Sequence, residues 1–417
     1  MLFESFFIGG FECSTHVLHD GRRVDVTSAT HHDTWAVQDY ERLKVAGIRT
    51  ARDGVRWHLL EPRQGHYDFA SALPLLRAAR ETGVQVIWDL LHFGWPDDVD
   101  VWTPAFITRF ADFARAFAKL CRDDIEGVPF FAPVNEMSFL AFAGGQAGFF
   151  NPFGHGRGDE IKAQFVRASI AAMDAIWEVL PHARIVHTDP LINIIADPTR
   201  PEHRADAEHH RQSQFASWDM LYGKVRPELG GNPRYLDIVG ANYYVNNQWI
   251  HTIQGHSPVL VPSHPNHLPL RYMLREVHAR YGRPVFIAET GIENAARPEW
   301  LRYIGREALG ALQLGVPLEG VCLYPIVNHP GWDDDRHCHN GLWDYADEHG
   351  VREAFPPLQA ELANQEAVFR QLLEHGHALT EASLATATEQ FESAAERVTL
   401  DEAAEDAEKQ NSSVRGV

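Results

Sequence analysis

FFAPVNEM at residues 130–137 and PVFIAETG at residues 284–291 share one form, an apolar run closed by polar groups, Asn135 and Glu136 in the first and Glu289 in the second. A short unbroken apolar run marks a strand buried on both faces, as in a parallel sheet covered by helices. Six further runs repeat the pattern, at residues 6–11, 48–52, 84–90, 184–187, 238–243 and 320–324. Between the runs lie stretches with apolar spacings of three and four. In TPAFITRFADFARAFAKLCRD, residues 103–123, Thr103 before Pro104 reads as a cap and first-turn pair. SALPLLRAARETG, residues 71–83, ends at Gly83 as a helix should. Eight strand and helix units predict an α/β fold, a (β/α)8 TIM barrel; an open sheet carrying the same alternation is the competing architecture.

The length of 417 residues suits one barrel of about 250 to 400 residues with extras. The expected catalytic domain is residues 1–373. From residue 374 to 417 Ala, Glu, Thr and Ser dominate, so this acidic segment reads as a peripheral helical or frayed tail. Hydrophobic residues make up 45% and charged residues 23%, the balance of a globular chain with a large core. A net charge of -20 argues against nucleic acid or an anionic membrane as partner, because both need a basic surface. No run approaches the roughly 18 apolar residues of a membrane span, and MLFESFFIGGFECST, residues 1–15, lacks the basic start of a secretion signal. Cys13, Cys121, Cys322 and Cys338 are scattered and form no CxxC, so no disulfide framework is expected and a reducing cytoplasm is the simplest location.

Catalytic groups of such barrels project from the C-terminal ends of strands. Glu136 then ends strand four and Glu289 strand seven, opposite one another across the mouth. Salt-bridged strand-end glutamates are the structural alternative. Cleavage of a glycoside needs two carboxyl groups in different protonation states, one donating to the leaving oxygen and the other, ionised, attacking the anomeric centre. A separation of about 5 Å implies retention and about 6.5 to 9.5 Å inversion.

At these residues the chain resembles the clan A glycoside hydrolases, and most of all family 1, the β-glucosidase family, over residues 6–348. Asn135 and Glu136 match the Asn-Glu-Pro acid/base motif, with Met137 in place of proline; Ala288, Glu289, Thr290 and Gly291 match the Thr-Glu-Asn-Gly nucleophile motif loosely. The resemblance implies a retaining hydrolase with Glu136 as acid/base and Glu289 as nucleophile, acting on a small-molecule or oligosaccharide glycoside without metal or cofactor. ARDGVRW, residues 51–57, is similar to the strand-two motif and implies that Arg52 is the nucleophile's arginine, with Arg49 and Arg56 as rivals. DLLHFGWP, residues 89–96, makes His92 a sugar ligand. GANYYVN, residues 240–246, makes Tyr244 the phenol that bonds the nucleophile and Asn242 its neighbour in the substrate site. His16 falls where the family carries a sugar-binding glutamine, and Trp332 where it carries a tryptophan. Asn135 would reach a sugar 2-hydroxyl. Among Trp88, Trp95, Trp249 and Trp332, only the last is expected to stack on a sugar. The chain departs from the family at Gly331, where a hydroxyl-gripping glutamate stands, and at Tyr324 and Pro325, where the family has Trp-Ser.

Other polar clusters carry less. His31, His32 and Asp33, and Asp333, Asp334, Asp335, His337 and His339, lack a recognised metal spacing and read as polar loops. Glycines 154, 156 and 158 in FGHGRGDE do not follow a strand in dinucleotide order, GxSxG is absent, and Cys338 between His337 and His339 matches no thiol motif. A transglycosylase using the same glutamates, or a non-catalytic carbohydrate-binding barrel favoured by Met137, Ala288 and Gly331, are the competing functions.

Overall fold

Eight parallel strands close into a barrel: β1 (Phe7–Gly10), β2 (Thr50–Gly54), β3 (Gln85–Asp89), β4 (Phe130–Ala132), β5 (Arg184–Pro190), β6 (Ile238–Asn242), β7 (Val285–Thr290) and β8 (Leu318–Leu323). Each strand pairs with its neighbours in chain order, and β8 returns to β1 with Phe7 opposite Val321, Ile8 opposite Cys322 and Gly9 opposite Leu323. That last pairing excludes the open sheet. The computed structural model describes residues 1–125, 127–252 and 257–374; the tail expected from residue 374 lies outside the described residues from 375 on.

The unbroken apolar runs arise because the strands feed two cores. Ile8, Ile87, Phe130, Val186, Ile238, Phe286 and Cys322 point inward and fill the barrel. Alternate residues such as Phe7, Ala51, Val86, Trp88, Phe131, Val239 and Ile287 point outward against the helices. Burying each such large side chain contributes about 1.5–3 kcal/mol. At Gly10 a Cβ would lie 2.1 Å from the Tyr324 ring, so only glycine leaves room for that ring in the barrel.

The helix Pro104–Asp124 presents Phe106, Phe110, Phe113 and Phe117 to the core at spacings of three and four. Thr103 occupies its capping position, but its hydroxyl donates to the Asp100 carbonyl at 2.9 Å and does not cap, contrary to expectation. The helix Leu73–Thr82 ends at Gly83 in the left-handed region, φ 71°. Among the described residues no helix is long and apolar enough to cross a membrane. The four cysteines are free and buried.

The polar loop expected at His31, His32 and Asp33 is instead the start of the helix His32–Val45. His32 is buried, stacked on Phe11 with ring centroids 3.7 Å apart. Its Nδ1 lies 2.8 Å from Asp39 and its Nε2 2.9 Å from Asp53 on β2. Arg352, in the strand Arg352–Ala354, grips the same Asp39 with two nitrogens at 2.7 and 2.9 Å. The polar letters hide a burial whose partners lie far away in sequence.

Burial opposes the charge on His32, but Asp53 and Asp39 outweigh it and raise the imidazole to about 9. A histidine with a raised folded value stabilises fully below its unfolded value near 6.5 and loses that stabilisation as pH rises through about 9. The contact is worth on the order of 3 kcal/mol. Urea unfolding of the wild type should weaken by that order between pH 6.5 and 9.5. His32→Gln should be less stable at pH 6 and nearly flat across the same range.

Candidate active site

The cavity at the C-terminal mouth of the barrel has a volume of about 1180 Å³, and Glu136 and Glu289 both line it. Beneath them lies Arg52, fully buried on β2. Its guanidinium makes five hydrogen bonds: Nε and Nη2 to the two oxygens of Asp89 at 3.2 and 2.7 Å, Nη2 to Asn135 Oδ1 at 2.7 Å, and Nη1 to Glu289 Oε1 at 2.6 Å and the Ala288 carbonyl at 3.2 Å. Every N–H is used. Burial disfavours the cation, but Asp89 and Glu289 more than compensate and hold it well above its ordinary range. One side chain thereby links β2, β3 and β7 to the loop after β4.

Glu289 accepts from Arg52 through Oε1 and from the Tyr244 hydroxyl through Oε2 at 2.9 Å. Burial and the neighbouring Glu289 and Glu136 charges push the Tyr244 phenol far up, so its proton stays and points at the carboxylate. Glu136 has a different setting. Its Oε1 accepts from Asn242 Nδ2 at 2.7 Å, and among the described residues no cation forms an ion pair with it. Burial and the Glu289 charge push its carboxyl well above the usual carboxylate range, against the weaker pull of Asn242 and Arg52. One carboxyl sits among donors and a cation, the other in a desolvated place that favours its neutral form.

No family model and no curated protein matches the sequence. Solved structures do match in shape. A β-glucosidase from Thermotoga maritima in complex with glucoimidazole superposes with a TM-score of 0.71 at 16% identity, covering 88% of this chain and 97% of that one. A family 1 β-glucosidase from Thermotoga maritima gives 0.69 at 16% identity over 87% and 98%. A hyperthermophilic β-glucosidase mutant gives 0.68 at 16% over 86% and 98%. The fold is that of the family 1 β-glucosidases.

Within that β-glucosidase-like barrel, the expected site residues fall in two layers. Arg52, Asn135, Asn242, Tyr244 and the two glutamates meet as described. Of the rival arginines, Arg56 pairs with Asp33 at 2.8 Å and Arg49 precedes β2 at its far end, so neither reaches Glu289. Asn135 is fully buried, its Oδ1 also accepting from Thr188 at 2.7 Å and its Nδ2 lying 3.1 Å from His92 Nε2. Its amide is bonded within the protein, so it orients Arg52 and His92. Asn242 contacts Glu136 itself and does not line the cavity.

His92, His16 and Trp332 line the outer layer. His92 Nδ1 is 2.9 Å from Asp89, which fixes the ring. Burial pulls His16 down to about 4, so it is neutral, and its Nε2 donates to the Trp332 carbonyl at 3.1 Å. Trp249 lines the cavity too, whereas Trp88 and Trp95 pack in the core. At Gly331 a Cβ would lie 1.9 Å from Asp334 Oδ1: the following loop folds its carboxylate over the position where the resembled family carries a glutamate. Tyr324 places its ring 5.1 Å from the Arg52 guanidinium. His337, His339 and Asp344 could offer three ligand atoms on the outer face of this loop, but His337 already bonds Asp344 at 2.7 Å and stacks on Tyr345.

Four polar residues of the site were not singled out from the sequence. Asp89 ends β3, Thr188 and Asp189 lie near the end of β5, and Glu12 follows β1 and lies 3.8 Å from His92. Thr188 directly follows the run at residues 184–187 and Asp189 comes one residue later, whereas Asp89 lies within the run at residues 84–90.

Removing one member of a buried charge network leaves the rest uncompensated. Arg52→Met should therefore lower the free energy of unfolding in urea by about 3–5 kcal/mol at pH 7. Arg52→Lys, with three donors for five acceptor contacts, should also destabilise, and should not restore wild-type stability.

Proposed function

We propose that the protein is a retaining β-glycosidase. The observation that carries the proposal is the unlike setting of two carboxyl groups on one cavity wall. Glu136 is favoured in its protonated form, as a general acid must be, while Glu289 is held between Arg52 and the Tyr244 hydroxyl. The shared fold supports the same choice by analogy.

In the first step Glu136 gives its proton to the glycosidic oxygen as the bond from that oxygen to the anomeric carbon breaks. A Glu289 oxygen attacks the same carbon and forms a glycosyl ester. Forming the ester removes the Glu289 charge. That charge is one of the two largest influences holding Glu136 protonated, so Glu136 becomes more acidic when a base is required. It then takes a proton from water as the water oxygen attacks the anomeric carbon and frees Glu289. Arg52 and Tyr244 receive the returning carboxylate without reorganising. His92, His16, Trp332 and Trp249 are the side chains available to hydroxyls and sugar faces. Each step is a proton transfer or a carboxylate substitution, so metal and cofactor have no part in it.

Glu289→Gly should cut turnover of an activated aryl β-glycoside by about 10³-fold or more. Added azide or fluoride should restore part of it, and a 2-deoxy-2-fluoro glycoside should label Glu289 in the wild type. A first-formed product of inverted anomeric configuration by NMR would refute retention. A wild type that cleaves no member of an aryl glycoside panel and takes no label would refute the glycosidase.

A further inference from the structure

Asp189 lies near the C-terminal end of β5, beside the end of β4, and is 1% exposed. Its Oδ1 accepts from the Ser138 N–H at 2.9 Å, its Oδ2 from the Ser138 hydroxyl at 2.8 Å, and the Ser217 hydroxyl donates to the same Oδ2. These donors and Lys162 favour the carboxylate, while burial outweighs them and raises the Asp189 pKa. Ser138 is the second residue of the short helix Met137–Phe139, and Glu136 occupies the capping position.

A capping side chain ordinarily accepts from the N–H of the second or third helical residue. Glu136 does not. Its backbone is left-handed, φ 48° and ψ 59°, and its carboxyl turns to Asn242 and the cavity. The N–H that it leaves is the one Asp189 takes. The Glu136 N–H in turn donates to the carbonyl of Thr188, the residue before Asp189, at 3.0 Å. The end of β5 thus holds the chain on both sides of the Glu136 side chain.

We propose that Asp189 is a positioning residue for the acid/base: it caps the helix from a neighbouring strand, so the Glu136 carboxyl is free to face the cavity. The role in turnover rests on the glycosidase proposed above. The charged and titratable groups around Glu136 are Glu289 on β7, Arg52 on β2, Tyr244 after β6 and Asp189 on β5, with His92 beyond Asn135. Lys162, on the helix Gly158–Val179, acts on Asp189. Glu289 and, more weakly, Asp189 oppose the charge on Glu136, from strands separated by β6.

Asp189→Asn keeps an oxygen for the Ser138 N–H and removes the charge. In carboxyl-labelled protein, with Glu136→Gln to assign the signal, the 13C NMR titration midpoint of Glu136 should fall by about half a pH unit or more. The alkaline limb of kcat/KM on an aryl glycoside should fall with it while the acid limb stays. Asp189→Ala, which loses the cap as well, should lower kcat more than it changes KM. If Asp189→Asn does not fold by circular dichroism, Asp189→Ser gives the same NMR readout. A folded Asp189→Ala variant whose Glu136 midpoint and kcat both match the wild type overturns the proposal. The midpoint needs no turnover, so a shifted midpoint in a chain that cleaves no glycoside supports the coupling and sinks only the glycosidase.

Discussion

The structure at the barrel mouth depends on burying one guanidinium. A fully buried cation is tolerated only when its charge is compensated and its donors are all used. Arg52 meets both conditions with groups from three other places: Asp89 on β3, Asn135 after β4, and Glu289 with the Ala288 carbonyl on β7. Closing the barrel brings those strands together. The arginine then fixes how they meet, because a planar fork with five donors accepts few arrangements. Glu289 is consequently part of the frame as well as of the cavity wall.

Glu136 is the contrasting case. The frame gives it an amide, from Asn242, and no cation. Its setting is defined by burial and by the nearby Glu289 charge, which together raise its pKa. Two chemically identical side chains thus meet unlike surroundings, Glu289 between a cation and a phenol and Glu136 in a buried place that raises its pKa.

Much of this was legible in the sequence. The barrel could be read because each strand is buried on both faces and so writes an unbroken apolar run, as in VFIA at residues 285–288. Glu136, Glu289 and Arg52 could be read because they end or follow such runs. What stayed hidden was contact across long separations. His32 looks polar in sequence, yet is buried because Asp39, Asp53 and Phe11 surround it. Asn135 and Asn242 could be placed in the site, but whether each faces sugar or protein depends on donors from other strands, Arg52 and Thr188 for one and Glu136 for the other. Asp189 stands one residue beyond the position that directly follows its apolar run, and its partner Ser138 is 51 residues away, so sequence alone does not single it out.

The two layers of the site have different physical freedom. The inner layer, Arg52, Asp89, Asn135, Tyr244 and the glutamates, is fixed by strands and by a buried charge balance, so a change at one position penalises several others. The outer layer is carried by segments beyond the strand ends: the pair Asn193–Ala196 and Gln248–His251, which brings Trp249, and the loop after β8, which brings Trp332 and folds Asp334 over Gly331. These segments contribute little to barrel closure and can vary without disturbing Arg52. The departure from the resembled family at Gly331 falls in this outer layer. Met137, Ala288 and Tyr324 fall in or beside the frame and are absorbed there. Met137 packs its sulfur 3.7 Å from the Ser169 hydroxyl, Ala288 lends its carbonyl to Arg52, and Tyr324 lays its ring against the guanidinium. A charge balance fixed by strands below and loops free to vary above let the outer layer change without disturbing the frame.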